Sequence, residues 1–584
     1  MAKHSLFSKA LASLGLFAFA SFIQSAGACT GVYVGPKCSA SGNVMIARSA
    51  DSDKFQRHLE IVPAGKGRSR VITDMCGFSY TLPAKTYKYV GVPYGDISDV
   101  GRYDSAVTNE CGLAISATVT GYNCDAVKAA DPNVPDGIGE LTLPTILGSC
   151  CSSAREAVEL TARIVDEYGS CEQNIVMVAD RNEAWYIEIY SGHQYCAVRM
   201  PDDCVAAFGN EFMLASVDPE SEGVICSKGL FSIPEKNGFA VYDADGGMNL
   251  SRTYMGEGRY FAFSHMRTWR GHQLLSPSTV GDYDAKAAYP LFFKPEGQVS
   301  LQDVFAIFRD RYEGTPYCPE TNPSPDIRCI GDEGQGMVHV LEVYPDLPAE
   351  MACVTWLTLT EAAFAPFVPI SNAIKSCNPV YGQDMKAFRY DAEAASIVYK
   401  RLNALSAQNR ELYGANVRKY WEMVESDLVS EFPARLRELA GGRRPVKKIT
   451  KYCTSLQDAA IADAHRIFDE LCWYLMQNNY TYRFIFDFNK PLDPEPLAVI
   501  PFEPMFDIAS FAARKGWERA AADGGLKLSR NGITLSLTPS NGHRTDPGEI
   551  SVLNADGSTT KIAARVEDAG GRIMVPISVL GFLK

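Results

Sequence analysis

The chain of 584 residues contains no Cys-x-x-Cys pair and no His-Glu-x-x-His run, and it has only eight histidines. Cys150 and Cys151 are adjacent, which is not the spacing of a zinc-ligand pair. These absences leave a structural or catalytic metal without support, so the chemistry has to be sought in the side chains themselves. Beyond residue 23 no apolar run approaches the ~20 residues that a membrane-spanning helix needs. Positive charge is also short: 56 Lys and Arg stand against 69 Asp and Glu, a formal net charge of −13. Such a balance is a poor match for nucleic acid.

What is present begins at the front. Residues 1–28 have the three parts of a secretory signal: basic Lys3 and Lys9, an apolar stretch from Leu11 to Ile23, and the small-residue pattern Ala26-Gly27-Ala28. Export to the periplasm, cell surface or medium is therefore expected, with loss of this segment and a mature chain that starts at Cys29. There are 17 cysteines, and with Cys29 set aside the rest form an even set. In an exported chain this suggests disulfides, up to eight, with the connectivity left open.

The length exceeds one compact domain, and a hydrophobic content of 46% is ample for more than one core. From Cys29 to about Pro201 short β-branched and aromatic runs read as strands, and "AWYIEIY-SGHQ-YCAVRM" reads as a hairpin. Ser153 with Glu156 predicts a capped helix ended by Gly169, and a second capped segment runs from Ser300 to Gly314 with Tyr312 on its apolar side. This mix predicts a layered α+β domain over 29–385. Residues 386–483 read as a helical extension, interrupted by a solvated "GGRRPVKK" loop. The proline-rich stretch 489–501 marks a boundary. Beyond it, 495–584 alternates apolar and polar residues around Asn-Gly and Asp-Gly turns, the pattern of a small β-rich domain.

A cysteine at a new N-terminus carries a thiol and a free α-amino group on one residue. The amine titrates at roughly 7.7 to 8.0, so its neutral form is able to take the thiol proton directly or through water. In "MIARSADSD", Arg48 and Asp51 lie three apart where a strand runs out into a loop. A guanidinium there favours thiolate, and a carboxylate is suited to hold the amine. Taken alone, an Arg-x-x-Asp spacing is a weak signal and is more often that of an ordinary surface ion pair. Cys29 itself has competing readings: one half of a disulfide, or the acylated cysteine of a lipoprotein, although Ala26 replaces the usual leucine of that signal.

Several motifs in order carry a resemblance. "CTGVYVG", "MIARSADSD", "TNECGLAIS", "ADRNEAWYIEIYSGHQYCAVRMPDD", "AAFGNEFML" and "VHVLEVYPDLPAEMACVTWLTL" resemble the bacterial dipeptidase family of N-terminal-nucleophile cysteine hydrolases, relatives of choloylglycine hydrolases and penicillin V acylases. The resemblance implies a four-layer αββα sandwich, no cofactor, and short peptides as substrates. It makes Cys29 nucleophile and base, Arg48 and Asp51 its neighbours, and Asn210 the group that binds the reacting oxygen. A further arginine is implied near the substrate, for which "HMRTWRGH" offers both Arg267 and Arg270. A dipeptide also needs a carboxylate near its amine and a cation near its carboxylate. Glu140 is the candidate for the former, with nothing in its spacing to single it out, and the cation stays unassigned. An amidase acting on N-acylated substrates and a catalytically silent, lipid-anchored binding protein are the other readings. His193, in the hairpin turn, is expected to be a packing or surface residue. The stretch 495–584 resembles the copper amine oxidase N-terminal-like domain, an accessory module with His543 its one histidine and no copper implied; cell-surface association through it is an expectation, and oligomeric state stays open.

Overall fold

The computed structural model describes residues 29–51, 57–74, 76–94, 104–256, 261–324, 327–383, 390–478, 501–522, 525–540, 548–562 and 564–583. The expected secretory segment 1–28, His543 and all but the last residue of the boundary stretch 489–501 lie outside the described residues. The chain forms two compact units: the described parts of Met1–Lys400 with Glu425–Ile461, and Arg401–Val424 with the described parts of Ala462–Lys584. The helical stretch 386–483 is thus divided between the two.

The first unit is built on two antiparallel sheets. A six-stranded sheet has the order β12 (Val205–Phe208), β1 (Cys29–Val34), β2 (Val44–Asp51), β14 (Gln335–Val343), β15 (Cys353–Thr358) and β16 (Val368–Ser371). An eight-stranded sheet has the order β13 (Val224–Cys226), β11 (Tyr195–Arg199), β10 (Ala184–Ile189), β9 (Asn174–Ala179), β8 (Ala114–Thr120), β7 (Asp104–Asn109), β6 (Tyr89–Pro93) and β3 (Glu60–Val62). The small hairpin of β4 (Arg70–Thr73) and β5 (Ser79–Leu82) stands apart. β1 and β2 face β8 and β9 across the interior. Helices Leu143–Cys150 and Ala154–Tyr168 cover the outer face of the larger sheet. Helix Ala262–Leu275 packs on β12, and Phe305 of helix Leu301–Arg309 meets Trp356 of β15 at 5.9 Å between ring centroids. The layers run αββα, as the resemblance implies.

Covering both faces explains the sequence pattern. β1, β9, β10 and β14 are buried at every position, so they read as continuous apolar runs rather than alternating ones. The predicted hairpin forms in register, with Trp185 opposite Arg199 and Ile189 opposite Tyr195. Ser153 caps its helix through Oγ to the Glu156 N–H at 3.2 Å, but the reciprocal bond goes to Ser152 N at 2.6 Å, so the box is displaced by one residue. The helix after Ser300 has its full box yet stops at Arg309, short of the expected Gly314. The reason is Asp310, held in extended backbone by a bidentate pair with Arg270 at 2.8 and 2.7 Å, after which Tyr312 takes a left-handed φ of 61°. All 17 cysteines are free thiols, so none of the expected bridges is formed here; Cys196 and Cys226 stand directly opposite on β11 and β13.

In the second unit the Asn531-Gly532 turn joins Gly525–Arg530 to Ile533–Thr538 with positive φ at both turn residues, 51° and 80°, as a two-residue hairpin requires. These strands belong to a five-stranded sheet, beside a three-stranded one and a helix, Ile508–Arg514, capped by Asp507. The expected "GGRRPVKK" loop is shorter than predicted because Pro445 starts the next helix, a position where its missing N–H is no loss. Among the described residues no helix is long and apolar enough to cross a membrane.

β1 is held edge to edge by Gly31, which lies opposite Phe208 of β12; a Cβ there would run into the Phe208 ring. That ring is blocked from retreating by Tyr186 at 5.3 Å. Gly31→Ala is therefore expected to lower stability by about 1–3 kcal/mol by overpacking, and to shift the first residues of β1. Urea unfolding read beside activity checks this, and a variant as stable as the parent would show the contact to be slack.

Candidate active site

Cys29 is the first residue of β1, opposite Ala50 of β2, and only 5% of it is exposed. Its sulfur accepts from Arg48 Nη1 at 3.4 Å and from the Asp51 backbone N–H. Arg48 lies in the middle of β2, not at a strand exit as the sequence suggested, and its Nη2 crosses to the Ser105 carbonyl of β7 at 3.0 Å, tying the sheets together at the sulfur. Asp51 ends β2. Three residues apart, Arg48 and Asp51 would point to opposite faces of a regular strand. What meets the sulfur from Asp51 is accordingly its backbone N–H, at the point where the pairing of β2 with β14 shifts register between Gln335 and Met337, while its carboxylate turns to Arg328.

Burial pushes the Cys29 thiol up, against the pull of the Arg48 guanidinium, and the net shift is upward. The sulfur therefore needs a base. His339 lies opposite Arg48 on β14 with its Nε2 2.8 Å from Ser116 Oγ, but burial and then Arg48 hold the imidazole far below its ordinary value, which makes it a weak base at neutral pH.

Asn210 follows β12 in a loop that lies flat against helix Ala262–Leu275. Gly209 permits this, since a Cβ there would sit 2.5 Å from the Ser264 carbonyl oxygen. Asn210 Oδ1 accepts from the Cys29 backbone nitrogen at 2.8 Å and from Arg267 Nη2 at 2.8 Å. Both neighbours are donors, so the amide orientation is fixed and Nδ2 is its donor end. Arg267 is fully buried and binds the Cys29 carbonyl, Thr30 Oγ1 at 3.0 Å and the Phe263 carbonyl at 2.8 Å. Of the two arginines the sequence offered, Arg267 is at the site, and Arg270 is committed to Asp310.

Glu140 stands further off. Its backbone N–H donates to Glu172 Oε1 at 2.7 Å, and its charge is felt at the Cys29 sulfur. Burial and then Glu140 push the Glu172 carboxyl up to about 8. Arg328, which the sequence reading missed, reaches Asp51 Oδ2 with Nη2 at 3.2 Å; nothing in "SPDIRCIGDEG" distinguishes it from a surface arginine. Tyr122, Phe261 and Phe263 form an aromatic wall nearby, with Tyr122 4.9 Å from Phe261. His193 is an exposed residue of the hairpin turn, bonded to Asp131 through its backbone N–H and Nδ1. A cavity of about 580 Å³ lined by Glu211, Met213, Asp243, Arg252, His265 and Tyr289 backs onto the Asn210 loop without including Cys29. Among the described residues no group of three or more His, Cys, Asp or Glu is placed to hold a metal ion.

The pattern of Peptidase family C69 matches residues 28–423, which begins next to Cys29 and takes in Arg48, Asp51, Asn210 and Arg267. The chain belongs to this family. It is 28% identical over 435 residues to the probable dipeptidase B of Streptococcus pyogenes serotype M1, covering 71% of this chain and 85% of that one. A probable dipeptidase of Salmonella dublin is 29% identical over 360 residues, covering 60% and 82%. One of Latilactobacillus sakei is 27% identical over 365 residues, covering 61% and 76%. Among solved structures, a mutant conjugated bile acid hydrolase from Clostridium perfringens is 12% identical with a TM-score of 0.26, covering 62% of this chain and 97% of that one.

In this C69 peptidase the Asn210 loop is pinned by a carboxyl group from the penultimate residue of β10. Glu188 accepts from the Met213 N–H at 2.5 Å, the Leu214 N–H at 3.3 Å and the Tyr186 hydroxyl at 2.6 Å. Burial raises Glu188 from its ordinary 4.5 to about 7. The folded protein then keeps a proton that the unfolded chain releases, so this contribution to stability is complete below pH 4.5 and is lost as pH rises through about 7. The difference is of order 3 kcal/mol. Glu188→Gln, which keeps an acceptor for both backbone donors, is expected to flatten that slope; denaturant midpoints at several pH values for both proteins check it, and parallel curves would refute it.

Proposed function

We propose that this peptidase is an exported cysteine dipeptidase whose nucleophile and base are the thiol and the α-amino group of Cys29, freed together when residues 1–28 are removed. The observation that carries this reading is the surroundings of the Cys29 nitrogen. It is held by Asn210 Oδ1, and close by, Asp51 Oδ1 is buried with no hydrogen-bond partner among the described residues. A buried, unsatisfied carboxylate oxygen is costly, and an ammonium at residue 29 would satisfy it. A peptide bond preceding Cys29 offers only one N–H and no basic nitrogen. The relatives named as dipeptidases support the substrate class.

The reaction follows from this arrangement. The neutral amine takes the thiol proton, and the sulfur, its charge favoured by Arg48, attacks the scissile carbonyl. The oxyanion is met by Asn210 Nδ2 and a backbone N–H, each such donor worth about 3 kcal/mol when preorganised. Arg267 holds the Asn210 amide with its Oδ1 turned to the amine. The ammonium then protonates the leaving nitrogen, the C–N bond breaks, and a thioester remains. Water, deprotonated by the same amine, attacks the thioester carbonyl; the thiol leaves with the proton and the acid is released. Glu140 is the group proposed to face the substrate amine. In an oxidising compartment the facing thiols Cys196 and Cys226 are the pair proposed to bridge, and residues 495–584 are proposed as an accessory module.

Cys29→Ala and Cys29→Ser are both expected to abolish turnover, the second because a hydroxyl is a far weaker acid than a thiol, and N-terminal sequencing of active protein is expected to begin at Cys29. Free dipeptides assayed beside conjugated bile salts and penicillin V separate the substrate classes: hydrolysis of only the acylated compounds would overturn the dipeptidase reading. Intact mass reads the lipid alternative, since an acylated Cys29 in fully active protein would rule out the amine as base.

A further inference from the structure

Three arginines lie at the nucleophile and a fourth, Arg57, is linked to them through Ser105; three of the four are committed. Arg48 and Arg267 are buried, at 1% and 0% exposure, and their bonds go to Cys29, Ser105, Thr30 and Asn210. Arg57 is buried at 2% beneath the Tyr94 ring, its guanidinium 3.5 Å from the ring centre. Arg328 differs, because 28% of its side chain is exposed. Its backbone is fixed, since its carbonyl accepts from the buried Tyr312 hydroxyl at 2.7 Å and Cys329 beside it packs in the core with Trp269 and Tyr312. One edge of its guanidinium is taken: Nη2 lies 3.2 Å from Asp51 Oδ2 and 3.9 Å from Asp332 Oδ1, with Gly334 behind it. Nε is buried without a hydrogen-bond partner, and Nη1, which is not buried, makes no hydrogen bond among the described residues.

An arginine in this position is placed for an anion. It lies close enough to interact electrostatically with the Cys29 sulfur, the Tyr122 hydroxyl and the guanidinium of Arg267, and the two cations repel one another. A planar carboxylate fits a guanidinium edge and would offset that repulsion. Chain length sets the distance. One residue spans ~3.3–3.6 Å, so the carboxylate of a dipeptide cannot lie more than about 4 Å beyond the carbonyl that the sulfur attacks. Arg328 is joined to Asp51, whose backbone N–H touches that same sulfur.

We propose that Arg328 receives the C-terminal carboxylate of the substrate at its open guanidinium nitrogen, Nη1, and that its closeness to Cys29 is what limits hydrolysis to peptides with a single residue after the scissile bond. This rests on the dipeptidase reading and supplies the cation that the sequence left unassigned. Because the same guanidinium holds Asp51, a bound carboxylate also steadies the residue proposed to orient the Cys29 amine.

The test compares kcat/KM for a dipeptide, its C-terminal amide and the tripeptide extended by one residue. The parent enzyme is expected to prefer the free acid over the amide by about 10- to 100-fold, the scale of one charge-assisted pair of hydrogen bonds. In Arg328→Gln that ratio is expected to fall to near one, mainly through KM, with the tripeptide gaining relative to the dipeptide, and Arg328→Lys is expected to lie between. The ratio is internal to each protein, so a general loss of activity does not alter its meaning. A parent enzyme that treats acid and amide alike overturns the proposal without any variant, as does an Arg328→Gln enzyme that keeps the full preference. Cleavage of acylated compounds with no dipeptide turnover at all would instead remove the dipeptidase reading on which the proposal stands.

Discussion

The hydrogen bond from the Cys29 nitrogen to Asn210 Oδ1 is the contact on which the arrangement of the site depends. It joins the first residue of β1 to the loop after β12, 181 residues later in the chain, and it does so where neither group reaches solvent. Everything nearby serves its geometry. Gly209 lets the loop lie on the helix, Arg267 fixes the amide from the other side, and Glu188 anchors the two residues that follow Phe212. A buried amide with both acceptor bonds filled by donors has one orientation, and that orientation presents its N–H end for the proposed chemistry.

Electrostatics shapes the same region. A thiol and a carboxyl, both raised by burial, sit among guanidinium groups that pull the other way. A buried Asp51 Oδ1 without a partner among the described residues is unfavourable unless another group completes it, and Arg328 keeps Nη1 open beside it; an ammonium and a carboxylate are the complementary ions. These are the two charged ends that the proposed mature enzyme and its substrate would supply, one from each.

Much of this was legible in advance, for reasons that differ by element. The hairpin of β10 and β11 and the Asn531-Gly532 turn were readable because local chemistry fixes them. Helix ends were less so: Ser153 and Ser300 marked the starts, but the stop at Arg309 depends on Arg270, 40 residues away, and no local signal records it. Cys29, Arg48, Asp51 and Asn210 came from ordered motifs. Arg328 was invisible, because an arginine that pairs with a residue 277 positions away looks in sequence like any solvated cation.

The sequence by itself determined the residue types, the layered α+β character and, through ordered motifs, the family, whose resemblance implied the αββα order, since these are written in short-range pattern and motif. Only the tertiary structure decided that Arg48, through its side chain, and Asp51, through its backbone N–H, meet one sulfur, that Arg267 and not Arg270 reaches the site, and that Arg328 faces Asp51. The physical reason is that periodicity and capping act over a few residues, whereas a bulge on a neighbouring strand or an ion pair across sheets is set by which distant segments the buried core brings side by side.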